Sequence, residues 1–311
     1  MTHALQYDAS LADLRRAVRG EVLLPGDAGF DAARRPWNLA VDQPAAAVVT
    51  AADAADVAAL VRFAAGAGLA VAPQPNGHGA TGRTEGAVLL RIGALDAITV
   101  DPVARRARIG AGVRSGDLQR ATAHHGLTAL PGSSPVVSVA GAALGGGLSW
   151  FSRAFGWVAD SVVAFDVVDA HGEERAVTAA TDPDLFWALR GGGGDYAVVT
   201  ALELSLRDAA RVHGGRVLWE GRHTGVVAEA FRTLTADAPR ELTLWLELLH
   251  FPGAEPMVAI DTTFLGPEDE ARDLLAALDR LPPRRSPTPA ARCPSPSSGA
   301  SRPSRPSPPR E

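Results

Sequence analysis

Three glycine-rich segments, each set against the end of an apolar run, constrain this chain more than any other feature. The first is Gln74-Pro75-Asn76-Gly77-His78-Gly79-Ala80-Thr81-Gly82, directly after Leu69 to Ala72. The second couples Pro131-Gly132-Ser133-Ser134-Pro135 to Gly141-Ala142-Ala143-Leu144-Gly145-Gly146-Gly147. The third is Trp187-Ala188-Leu189-Arg190 followed by Gly191 to Gly194, Asp195 and Tyr196, leading into Val198-Val199-Thr200. Glycine removes side-chain bulk, so the backbone can approach a flat or anionic ligand, and successive N–H groups can form an anion nest. Taken singly, each segment also fits a plain surface loop, a packed turn or a helix C-cap. The second segment does not carry the dinucleotide fingerprint of a Rossmann fold, since Gly141 and Gly145 are four apart and no acidic residue ends a following strand. A nicotinamide dehydrogenase is disfavoured on that ground. A Walker-type loop is excluded, because the chain has no lysine.

Periodicity places these segments on an alternating scaffold. Val48-Val49-Thr50 reads as a strand, and Asp53 caps a helix with Val57, Leu60, Val61 and Ala64 on one face, closed by Gly66 and Gly68. Short strands follow at Ala87 to Ile92, Ala97 to Val100 and Arg106 to Ile109, then a helix from Ser115. Val162 to Val168 and Arg175 to Thr178 form a hairpin across Asp169-Ala170-His171-Gly172, Asp182 caps a helix to Leu189, and Val198 to Leu206 is a strand. A second α+β pattern begins near Ala210, with strands at Arg216 to Trp219, Leu242 to Leu249 and Val258 to Phe264, and helices at Val226 to Leu234 and Pro267 to Leu281.

Composition narrows the partners. The net charge of −5 does not suggest nucleic acid, and no apolar run is long enough to span a membrane. Without a secretory pattern in residues 1–21, the expected location is the cytoplasm. From Pro282 to Glu311 the chain carries 10 of its 23 prolines and six arginines against one glutamate, and reads as a disordered tail. The single cysteine, Cys293, falls in that tail, so the folded part has no disulfide and no thiolate metal site. His124 and His125 are adjacent on a helix end and do not face one way, so no metal is expected there.

In this order, the three segments resemble the FAD-binding domain of the vanillyl-alcohol oxidase superfamily, and more closely the berberine-bridge-enzyme-like FAD-linked oxidoreductases. The motifs that carry the likeness are Asn76-Gly77-His78-Gly79, Gly141 to Gly147, Gly156-Trp157-Val158-Ala159-Asp160-Ser161 and Arg190 to Thr200, with Trp150 to Phe155 between them. The resemblance spans about Trp37 to Leu206. It implies an α+β chain: an N-terminal extension at 1–36, a PCMH-type two-subdomain FAD-binding domain at 37–208, a partial antiparallel-sheet substrate domain at 209–281, and the tail at 282–311.

Carried over residue by residue, the resemblance makes His78 the attachment point of a covalent FAD. It makes Pro75, Asn76, Gly77, Gly79, Ala80, Ser133, Ser134, Val139, Gly141, Ala142, Gly145, Gly146 and Val199 contacts to that cofactor. Ser134 stands where many relatives carry a second attaching cysteine, so a single covalent link is implied. Val137 maps to a residue over the flavin that gates oxygen. Tyr196 maps to an aromatic with a packing role. Trp245, Glu247 and Leu249, one side of a strand at period two, are the expected substrate surface.

The implied activity is oxidation of an alcohol-, sugar- or secondary-metabolite-type substrate by hydride transfer to flavin, with O₂ as acceptor, and the partners are those two small molecules. Oligomeric state is not addressed by the sequence. The family's later segments, of "Tyr-Gly-x-Asn" and "Asp-Pro-x-Asn-x-Phe" type, have no counterpart after Leu281. The catalytic base is therefore unassigned. A flavin-binding but catalytically impaired homologue is the alternative, and a frame change near Leu281 is the expected cause.

Overall fold

A computed structural model describes residues 11–208 and 211–283. Cys293 and the proline-rich segment from residue 284 on lie outside the described residues. The chain divides into two compact units. The first takes the described residues from 11 to His213 together with Pro239–Thr243 and Thr263–Pro267. The second takes Gly214–Ala238, Leu244–Thr262 and the described residues from Glu268 on, 268–283.

The first unit contains two larger sheets. One is built from β1 (Glu21–Leu23), β2 (Ala47–Thr50), β3 (Ala70–Pro73) and β4 (Ala87–Arg91), in the order β1-β2-β4-β3. β4 pairs in parallel with β2 and β3, and β1 joins antiparallel to β2. Parallel neighbours need a crossover, and the helix Ala54–Ala67 supplies it between β2 and β3. That helix forms where its pattern predicts. Asp53 accepts the Asp56 N–H at 3.1 Å, Val57, Leu60, Val61 and Ala64 are buried, and Gly68 ends it at φ 66°. The central strands are apolar on both faces because both are covered. Val49, Val88 and Leu90 enter the main core, and Val48 and Leu89 pack with Phe30 and Ala45 in a smaller one.

The other sheet is antiparallel. It uses β5 (Ile98–Asp101), β6 (Arg106–Gly110), β8 (Val162–Val168), β9 (Glu174–Val177) and β10 (Val198–Ser205), in the order β5-β6-β10-β8-β9. A short pair, β7 (Leu127–Thr128) with β11 (Arg207–Asp208), stands apart from it. In β6 the alternation is plain: Ala107 and Ile109 are buried between more exposed arginines. β10 slips register between Val199 and Ala201, a bulge that leaves Thr200 to donate its hydroxyl to the Asp166 carbonyl at 3.2 Å.

Residues 11–36, read from sequence as an extension, are built into this unit. Residues 11–17 are helical, and Leu11, Leu14, Val18 and Val22 are part of its core. β1 is only three residues long, too short to leave a periodic signal.

The second unit centres on β12 (Val212–Glu220), β13 (Leu242–Leu249) and β14 (Met257–Leu265), in the order β12-β14-β13. Helices Thr224–Ala236 and Glu268–Leu275 accompany it, with Trp219, Val227, Val258, Ile260 and Leu278 buried. The helix expected over Pro267 to Leu281 is shorter, because a 3₁₀ segment replaces it at Ala276–Arg280. The Trp219 indole Nε1–H reaches the Pro282 carbonyl at 3.1 Å. Arg216 forks onto Asp261, with Nε to Oδ1 at 2.7 Å and Nη2 to Oδ2 at 2.6 Å, and its Nη2 also meets Glu247 Oε2 at 2.7 Å. Hydrogen bonding to Asp261 holds the Arg216 pKa above its ordinary value.

Candidate functional site

A cleft of about 850 Å³ in the first unit gathers the three glycine-rich segments. Its walls come from β3 and the Gln74–Thr81 loop, from Val137, Ser138, Gly141 and Ala142, from Val168 to Ala170, and from Gly194 to Val198. Among the residues expected from sequence, Pro75, Asn76, Gly77, His78, Gly79, Ala80, Val137, Gly141 and Ala142 line it. Ser133, Ser134, Val139, Gly145, Gly146 and Val199 are not on its wall. Val139 and Val199 are core residues, and Ser133 is exposed.

The first loop is shaped by Gly77, at φ +79°. A Cβ there would lie 2.7 Å from Pro36 Cβ and 2.9 Å from Gln74 Nε2. Gly77→Ala is expected to destabilise the unit by about 1–3 kcal/mol, read as a lower Tm, because both the backbone and Pro36 oppose the new methyl. An unchanged Tm would mean that Pro36 yields freely. The next residue, His78, has an Nε2 that is buried and has no hydrogen-bond partner among the described residues. Burial pushes its pKa below the ordinary histidine value, so the ring is neutral at neutral pH. The Trp37 ring stacks on it, with centroids 4.3 Å apart and planes 16° from parallel. Asn76 Nδ2 donates to the Val136 carbonyl at 2.6 Å, tying the first segment to the second.

The second segment is not a bare run of backbone donors. Val139–Leu144 is helical, and Ser138 caps it by accepting the Gly141 N–H at 3.2 Å while donating to the Ala111 carbonyl at 2.9 Å. Gly145 N–H goes to the Ala142 carbonyl and Gly146 N–H to that of Ala143. Gly147, at φ +76°, lets Val158 close in: a Cβ would sit 2.6 Å from Val158 Cβ. The third segment locks onto the Gly156–Ser161 stretch. Arg190 Nε donates to the Ala159 carbonyl at 2.9 Å, Nη2 meets Asp160 Oδ1 at 3.2 Å, and the guanidinium lies 5.1 Å over Phe186. Tyr196 is 56% exposed on the cleft wall, with its ring edge 3.4 Å from where a Cβ on Gly192 would lie.

Sequence reasoning missed Trp37, Ser138, Asp169 and the paired amides of Gln43 and Gln74, which exchange bonds of 2.9 Å beside the cleft. Asp169 was legible only as a turn residue. Backbone N–H groups of Glu173 and His171 hold its carboxyl below the ordinary range, so the cleft wall carries a fixed negative charge there. Thr84, on the same wall, has a buried hydroxyl without a partner among the described residues. Among the described residues no cluster of His, Cys, Asp and Glu could hold a metal, and no helix is long and apolar enough to cross a membrane. His124 caps the helix Ser115–Ala123 and, like His125, is exposed.

Residues 45–178 match the family described as FAD binding domain. The (R)-6-hydroxynicotine oxidase of Paenarthrobacter nicotinovorans is 32% identical over 274 residues, covering 85% of this chain and 59% of that protein. The crystal structure of 6-hydroxy-D-nicotine oxidase from Arthrobacter nicotinovorans superposes with a TM-score of 0.77 at 30% identity, over 87% of this chain and 61% of that one. Physcomitrella patens BBE-like 1 gives a TM-score of 0.79 at 25% identity, over 89% and 60%. The chain thus spans less than two thirds of the length of these relatives. With the three glycine-rich segments gathered on one cleft, residues 45–178 are an FAD-binding domain, and the fold is that of PCMH-type, berberine-bridge-enzyme-like structural neighbours.

Proposed function

We propose that this chain holds FAD in the cleft of the first unit through a single covalent bond to His78. We further propose that it serves as an FAD-dependent oxidoreductase of alcohol-, sugar- or secondary-metabolite-type substrates, with O₂ as acceptor. The observation that carries the reading is His78 itself: a neutral imidazole on the cleft wall, its Nε2 shielded and without a partner among the described residues. Bound FAD supplies the hydride acceptor and, through its 8α-methyl group, the carbon that an imidazole nitrogen attacks. His78 would supply the nitrogen and give up its ring N–H proton, and the bound cofactor, with O₂ as terminal acceptor, would supply the carbon, its proton and the two-electron oxidation that the bond requires.

The chain's own residues support this chemistry. The depressed pKa keeps a lone pair on the His78 ring at neutral pH. Gly79 leaves one flank open, with nothing within 4 Å of where its Cβ would lie. Val137, on the cleft wall, is the proposed oxygen gate, small enough to leave O₂ a path. Ser134 stands in the position of the second attaching residue, and its hydroxyl cannot form the thioether. Trp245, Glu247 and Leu249 are the proposed substrate surface, with the Glu247 charge balanced by Arg216.

The test is colour. The full chain, purified and incubated with FAD, is expected to be yellow and to keep the colour in an acid precipitate. A protein that stays colourless overturns the FAD reading. Flavin released entirely into the acid supernatant overturns the His78 bond alone.

A further inference from the structure

We propose that Trp37 is a positioning residue for flavin attachment: its indole, stacked on His78, fixes the plane of the imidazole that attacks the cofactor methyl. This rests on the proposed attachment at His78 and assigns a second residue to it. No hydrogen bond at Nε2 orients the His78 ring among the described residues. The indole lies over it at a centroid distance of 4.3 Å and an interplanar angle of 16°. Near-parallel aromatic stacking at this distance is attractive and limits rotation about the imidazole's χ2.

Trp37 is in turn held from three sides. Its N–H donates to the Asn76 carbonyl at 2.9 Å, and the following Asn38 N–H reaches the Gly77 carbonyl at 3.5 Å. The preceding Pro36 packs where a side chain on residue 77 would lie, 2.7 Å from the missing Cβ. The segment before β2 and the His78 loop are thus fastened as one piece, and the indole sits over the imidazole by construction. Yet Trp37 is 62% exposed. A large aromatic side chain left mostly in water adds little to a core, and the ring contact it makes is the one with His78.

Attachment is a bimolecular step made intramolecular, so its rate depends on how well the attacking ring is held. The full chain made under flavin starvation and then given FAD allows that rate to be followed as acid-stable flavin per polypeptide. Trp37→Ala is expected to bind FAD but to attach it about tenfold more slowly or worse, and Trp37→Phe to recover most of the rate. In the FAD-free protein, the His78 ring-proton resonances are expected to lose their upfield ring-current shift in Trp37→Ala and to keep part of it in Trp37→Phe. Attachment by Trp37→Ala at the wild-type rate overturns the role of Trp37 while leaving the His78 bond intact. Equal slowing in Trp37→Phe and Trp37→Ala also overturns the stacking account. Wild-type protein that releases all its flavin into acid overturns the attachment itself, and this proposal with it.

Discussion

Asp56→Ala is expected to lower the unfolding free energy of the first unit by about 3–5 kcal/mol, measured by chemical denaturation at neutral pH. Asp56 is 2% exposed although it lies in the first turn of a surface helix. Its Oδ1 accepts the Arg19 backbone N–H at 2.9 Å and the Arg19 Nε at 3.4 Å. Its Oδ2 accepts the N–H groups of Gly20 and Ala52, both at 2.9 Å. These donors come from the turn before β1 and the turn after β2. One carboxylate therefore closes the end of the antiparallel pair whose register begins at Glu21↔Thr50. Alanine would leave three backbone donors without an acceptor, each a loss of about 1–3 kcal/mol before relaxation. Relaxation is limited, because Gly20 is packed so closely that a Cβ would lie 1.9 Å from the Thr50 carbonyl oxygen.

The same geometry sets a pH dependence. Burial alone would raise the Asp56 pKa, but the backbone donors of Arg19, Ala52 and Gly20 outweigh it and hold the carboxyl below its ordinary value. An unfolded aspartate titrates near about 3.9, so in acid the unfolded chain takes up this proton first. The stabilisation is complete above that pH and is lost as pH falls through the lower folded value. Asp56→Asn should therefore show a shallower fall in Tm between about pH 5 and pH 3 than the wild type. A parallel fall in both proteins would remove Asp56 from the acid response.

Asp56 also shows where sequence reading reaches its limit. The helix it belongs to was legible from end to end: an Asp53 cap, an apolar face at Val57, Leu60, Val61 and Ala64, and a left-handed Gly68. Within that pattern Asp56 counts as one more polar position, because two of the three backbone donors it serves, those of Gly20 and Arg19, are 36 and 37 residues away. The hairpin across Asp169 to Gly172 was legible for the same local reasons, and the bulge in β10 was not, since it is a matter of pairing. In the site, the loops were found because glycine clusters are rare and placed at strand ends. What they do was harder to read. Gly141 looks like a free backbone donor until Ser138 is seen to occupy it, and the Trp37 stack on His78 joins residues about forty positions apart with no shared periodicity. Local chemistry is written in local sequence, and contacts between segments are not.

His78→Ala is expected to abolish acid-stable flavin altogether, while leaving FAD bound non-covalently. The change removes the only attacking nitrogen in the loop without disturbing what shapes it, since Gly77, Pro36 and the Trp37 to Asn76 hydrogen bond are all independent of the imidazole. No second attachment is expected to compensate: Ser134 offers a hydroxyl, which cannot form a thioether, and the single cysteine of the sequence is Cys293. The measurement is flavin fluorescence on a denaturing gel, set beside the flavin absorbance of the native protein, so that binding and attachment are read separately. Attachment in the wild type should also follow the protonation of His78. Only the neutral ring has a lone pair to offer, and burial places its pKa below the ordinary value of about 6.5. The rate is therefore expected to be level through neutral pH and to fall only in acid, below that value. A rate still climbing above about pH 7 would mean that the imidazole is not held neutral. Flavin fluorescence on denatured His78→Ala would place the bond on another side chain.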